Sequence, residues 1–245
     1  MGRNSLFRIY KDAINPKNCR FCEQALVEDR KKKPKTKRVG PFSCWHMGEK
    51  ATEIVFVGKN TWVSKKQETD YKLVNGKFRD VTPEDVFSRD DNKYFNFIRD
   101  IVDKTSGRGS VCVTNLAKCK VTDDDESYVD LTANKYYGNC IAKVFSEEIA
   151  GLNPRYVVLF TNMYFNEYLE KLLFGRKSCE DIGKRRTITV TRGKENRTYP
   201  WLVRKYKNGN KEMYMLVTRH PQRAWRKELK SEIVKWTQNP ERIHY

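Results

Sequence analysis

The chain has 245 residues, with 49 Lys or Arg against 31 Asp or Glu, a formal charge of +18 with its three His neutral. An apolar fraction of 38% is enough to bury the core of one large domain over residues 1–245 and excludes a wholly disordered chain. No run approaches the roughly 18 apolar residues of a membrane span, and MGRNSLFRIYKD lacks a signal peptide's apolar stretch, so a monomer in the cytoplasm, nucleoid or nucleus is expected, neither secreted nor membrane-bound.

A cationic surplus of this size repels itself unless a polyanion offsets it, and nucleic acid is the first candidate, with 12% aromatic residues available for stacking. Seven Cys is an odd number without an export signal, which favours a metal site over a disulfide framework.

Taken in chain order, Cys19 and Cys22 form a C-x2-C knuckle whose thiolates reach one metal centre. From Arg30 to Arg38 the run RKKKPKTKR reads as a solvated loop, in which Lys31, Lys32, Lys33, Lys35, Lys37 and Arg38 lie against phosphates. Glu53 to Val57 is a short β-branched run that stops at Gly58, a buried strand feeding a turn. Phe97, Ile98, Ile101 and Val102 predict a helix over 95–102.

A second buried strand is read at Ser110 to Thr114, with Cys119 just beyond its end. Cys140 opens a helix with one face formed by Ile141, Val144, Phe145 and Ile149 and its end at Gly151. Tyr156 to Thr161 is a third strand. Within an inserted region of roughly 176–211, Asn208-Gly209 predicts a hairpin over Pro200 to Thr218 that contains the fourth. Trp225, Leu229, Ile233 and Trp236 form the stripe of a last helix.

Short buried strands separated by helices predict an α/β fold with a central, mainly parallel sheet flanked by helices. Ligands of such sheets bind at the carboxyl edge, which puts Gly58 to Trp62, Thr114 to Lys118 and Arg219 to Arg223 on one rim. Two metal sites are compatible with the cysteines. Cys19, Cys22, Cys119 and Cys140 suit a [4Fe–4S] cluster, and Cys19, Cys22, Cys44 and His46 suit zinc; spacing alone does not choose between them.

The order C-x2-C, EIVFVG ending at Gly58, Thr114-Asn115-Leu116-Ala117-Lys118-Cys119, Cys140, NPRYVVLF and His220-Pro221 resembles the iron–sulfur uracil-DNA glycosylases from about Cys19 to Trp236. The resemblance implies that superfamily's fold with a [4Fe–4S] loop, and it favours the cluster over zinc. It also implies base excision repair: DNA carrying uracil or a related deaminated base is bound, the base is flipped out, and its N-glycosidic bond is hydrolysed. The first motif departs from the family pattern G-E-[AG]-P-G, reading Gly58-Lys59-Asn60-Thr61-Trp62. Asn60 stands where the mismatch-type members, with G-[IM]-N-P, carry an Asn that positions water.

Roles follow residue by residue. Asn115 has an amide that donates and accepts at once and reads uracil's O4 and N3–H. Tyr94, with Phe95 beside it, is the platform for the flipped base. His220 is the donor to the departing base, and Asn60 positions water, with Glu68 or Asp70 as carboxylates in the following loop. Lys59 holds a phosphate or the leaving uracil. Gln222 and Arg223 lie where the family inserts a wedge into the duplex, and Arg223 fits that role. Two alternatives stand beside the glycosylase: a protein of the same fold that only binds DNA or a damaged base, and a zinc-bearing RNA-binding protein.

Overall fold

The computed structural model describes residues 20–35, 37–39, 45–47, 52–60, 93–105, 111–122, 140–161, 179–181, 186–208, 211–221 and 226–241. In chain order the elements are α1 (Arg20–Lys32), β1 (Lys37–Val39), β2 (Trp45–Met47), β3 (Ile54–Asn60), α2 (Lys93–Val102), β4 (Val111–Ala117) and β5 (Lys120–Thr122). A π-helical turn (Cys140–Phe145), α3 (Ser146–Leu152), β6 (Tyr156–Leu159), β7 (Cys179–Asp181), β8 (Arg186–Arg192), β9 (Glu195–Asn208), β10 (Lys211–Val217) and α4 (Arg226–Gln238) follow. The chain forms two compact units, one of residues 1–44, 59–80 and 115–151, the other of residues 45–58, 81–114 and 152–245.

In the first unit β1 pairs antiparallel with β5, Lys37 opposite Thr122. The basic stretch is therefore not one loop: Arg30, Lys31 and Lys32 form the last turn of α1, and Lys37 and Arg38 lie in β1. Cations at a helix C-terminus face the negative end of its dipole, which offsets their mutual repulsion.

The second unit is built on a sheet that is mixed rather than mainly parallel. Among the described residues its order is β2-β4-β3-β6-β10-β9-β7, with β8 on β9. β3, β6 and β10 run parallel, whereas β2 on β4, and β7, β8 and β10 on β9, are antiparallel. Ile54 to Val57 are wholly buried, as are Val157 to Leu159 and Met215 to Val217. Such continuous apolar runs are what strands buried on both faces require. Phe95, Phe97, Ile98, Ile101 and Val102 of α2 and Leu229, Ile233 and Trp236 of α4 join this core, and a Lys230–Asp100 ion pair links the two helices. No helix among the described residues is long and apolar enough to cross a membrane.

Three element ends differ from expectation. β3 continues through Gly58 to Asn60, because Gly58 keeps an ordinary backbone conformation; the positive-φ glycine among the described residues is Gly193. β4 continues to Ala117, so Asn115 lies within the strand. The helix after Cys140 begins as a π-helical turn and ends beyond Gly151, where Asn153 takes a left-handed conformation (φ 46°) ahead of Pro154. Asn is the commonest substitute for Gly at that capping position.

Candidate functional site

Register fixes one edge of the second unit. Val57 and Val217 both lie opposite Leu159, and the Phe160 and Thr218 amides donate to the Val57 and Leu159 carbonyls. Phe160 and Thr218 therefore leave β6 and β10 at one level, that of Gly58 within β3, at the carboxyl end of the parallel pairing. Three residues beyond β10, the His220 imidazole lies nearly flat on the Tyr94 ring, 5.2 Å between centroids and 15° between planes. Phe160 meets both rings edge-on, at 6.4 Å from His220 and 6.0 Å from Tyr94.

The cluster continues inward. Phe160 stacks on Phe56 of β3 at 6.1 Å and 8° and meets Phe97 of α2 edge-on at 5.8 Å. His220 is thus held on one ring face and one ring edge of a packed aromatic group while remaining half-buried. Buried Pro221 follows it and restricts its backbone to extended conformations. Burial pushes the Tyr94 hydroxyl well above its ordinary range, so this ring stays a neutral phenol. Thr218, wholly buried two residues before His220, has a hydroxyl that makes no hydrogen bond among the described residues. A buried hydroxyl in that condition is what an ordered water or a ligand atom satisfies.

Tyr94 was read as the platform for a base, and in this structure one of its faces carries the imidazole. Gly58 is buried within β3, Lys59 is half-buried and Asn60 ends the strand. Asn115 is half-buried within β4. Lys31, Lys32, Lys33 and Lys35 are exposed. Glu68, Asp70, Gln222, Arg223 and Cys44 lie outside the described residues.

The first unit holds a pair that sequence reading missed. Lys118 Nζ donates to Glu148 Oε2 at 2.6 Å, the side chains 2% and 0% exposed, with the ammonium 5.9 Å over the Phe145 ring. Burial holds the Glu148 carboxyl well above the usual carboxylate range. Thirty residues separate the partners and no periodicity links a strand-end Lys to a helical Glu, so the sequence carries no signal for the pair. Phe160, by contrast, was legible as the end of an apolar run, though not as a wall against His220.

The metal-site expectation is overturned. Among the described residues no group of three or more His, Cys, Asp or Glu can hold a metal ion, which removes the [4Fe–4S] loop from the fold and the zinc alternative with it. Cys119 lies in the bend after β4 and Cys140 is buried at the start of the π-helical turn; neither forms a disulfide. Cys19 lies outside the described residues, and of Cys22 only its place in α1 is described. His46 sits on β2 opposite Cys112.

No family model and no curated protein matches this chain. The likeness to uracil-DNA glycosylases rests on the order and spacing of its motifs.

Proposed function

We propose that the protein is a DNA glycosylase that hydrolyses the bond between deoxyribose and uracil, or a related deaminated base, in DNA inside the cell. The observation that carries this reading is His220, held on Tyr94 beyond the carboxyl end of β10. In the reaction the C1′–N bond breaks, its electron pair goes to the base, and water adds to C1′. The water's proton ends on the base or in solvent, and the products are free uracil and an abasic site.

Negative charge develops on the departing ring, and an N–H donor already oriented toward it stabilises the transition state more than the ground state. The aromatic group supplies that orientation in advance, because His220 is packed before substrate arrives. In this reading Asn115 reads the edge of the base, Asn60 orients water and Lys59 offsets phosphate or leaving-group charge. Asn60 lacks a carboxylate's charge, so slow turnover is expected. The test is release of free uracil from single-stranded, U·A and U·G oligonucleotides. Uracil release that His220→Ala lowers while DNA binding persists supports the proposal; no release from any substrate refutes it.

A second reading keeps the DNA and drops the turnover. It is favoured by the extension of β3 to Asn60, which puts the first motif in extended strand where a loop was expected. Under it His220→Ala and Asn60→Ala have no base release to lose.

A further inference from the structure

The β8–β9 hairpin is absorbed by neither reading. Its strands pair from Arg186 opposite Trp201 to Arg192 opposite Glu195, and Gly193-Lys194 closes the turn. Gly193 has φ +61°, the glycine position of a two-residue hairpin loop. A Cβ built on Gly193 meets nothing within 4 Å, so the tip stands in open space.

The two faces of this ribbon differ. One buries Val190 and Tyr199 and packs Ile188 against the core of the second unit, which fixes the hairpin to its sheet. The other carries Thr187, Thr189, Thr191, Asn196 and Thr198, all exposed. Register makes Thr189 and Thr198 direct neighbours, and Thr191 donates to Asn196 at 2.8 Å. At the tip Arg192, Lys194 and Arg197 are exposed, and Glu195 is the sole carboxylate between Arg186 and Asn208.

We infer that this hairpin is a nucleic-acid contact whose tip cations Arg192, Lys194 and Arg197 bind the phosphates of duplex DNA. Charge complementarity selects the partner: the chain is cationic overall, and the tip carries three cations against the one carboxylate of Glu195, which lies opposite Arg192. A two-stranded ribbon is also narrow enough to enter the major groove of B-DNA, roughly 12 Å wide. The inference takes DNA from the reading above as the partner and does not depend on base release.

The experiment measures binding of the full chain to an unmodified duplex by fluorescence anisotropy across a salt series, for wild type and for R192Q/K194Q/R197Q. Loss of three phosphate contacts makes the log–log slope shallower by about 2.7, so that between about 50 and 200 mM salt the wild type loses about forty-fold more affinity than the variant. Equal melting temperatures show that the fold is kept. Should the triple variant not fold, K194Q alone, in the turn outside both strands, reduces the slope by about 0.9.

An unchanged slope overturns the inference, as does a DNA slope that stays while binding to phosphatidylserine vesicles is lost. A protein that releases no uracil but shows the shallower slope upholds the hairpin contact and removes the glycosylase. Uracil release with an unchanged slope does the reverse.

Discussion

The Lys118–Glu148 pair of the first unit and the His220–Tyr94 stack of the second both lie just past the end of a strand, and they hold their polar groups in opposite ways. Lys118 and Glu148 are almost wholly buried and close on each other at 2.6 Å. His220 is half-buried and rests on a ring face, which fixes its plane. A charge sealed by its counter-charge holds architecture, whereas ring packing sets the plane of the imidazole. Under the proposed function the first contact serves stability and the second chemistry.

The largest expected effect tests the architectural half. Lys118→Met leaves a buried carboxyl without its ammonium and is expected to cost about 3–5 kcal/mol in denaturant unfolding, while pairing it with Glu148→Leu restores much of the loss. In the single variant the folded state holds the Glu148 proton to higher pH than the unfolded state, whose carboxyl titrates near 4.5. Stability of that variant therefore falls as pH rises above the ordinary carboxylate value. A single variant as stable as wild type across that window contradicts the assignment.

Next comes the chemical half. His220→Ala is expected to slow base release by about 10²–10³-fold, the effect of removing one preoriented donor, with little change in melting temperature. A large loss of stability with proportionate loss of activity would mean that His220 is only packing. Tyr94→Leu sharpens the point: it removes the ring under the imidazole and is expected to cost about 0.5–1.5 kcal/mol beyond lost burial, whereas Tyr94→Phe keeps the stack and stays near wild type in unfolding and base release.

The smallest effect belongs to a surface cluster of the second unit that is neither sealed nor poised. Lys205 bridges Glu212 at 2.8 Å and Glu241 at 2.5 Å, and the Tyr214 hydroxyl donates to both carboxylates. The Lys205 ammonium, and after it the Tyr214 hydroxyl, holds the Glu212 carboxyl below its ordinary value of 4.5. A depressed carboxyl stabilises the fold above its unfolded value and ceases to do so as pH falls through the folded one. Glu212→Gln is thus expected to weaken the acid-side loss of stability slightly in melts at stepped pH, and an identical acid limb would show that the cluster contributes nothing.

Legibility followed the same division. The strands at Ile54, Val111, Tyr156 and Met213 and the stripes of α2 and α4 were readable because apolar runs and helical spacing are local signals. What was missed depends on partners distant in sequence. β9 extends back to Glu195 because β8 pairs with it there, and Pro200 is tolerated because β10 pairing begins only at Leu202. Gly58 was read as a stop, yet a glycine stops a strand only where the backbone turns, and here it does not.

The site shows the same limit. His220 was legible from His-Pro at a strand end, but the ring it lies on was assigned to the substrate. Cysteine spacing suggested a metal, and spacing cannot show whether distant ligands gather.

Uracil release by purified wild-type protein, measured beside His220→Ala on single-stranded, U·A and U·G oligonucleotides, tests the account most directly. It predicts free uracil from at least one substrate and a loss of about 10²–10³-fold in a variant that still binds DNA. No uracil from any substrate, or equal release by both proteins, would contradict it.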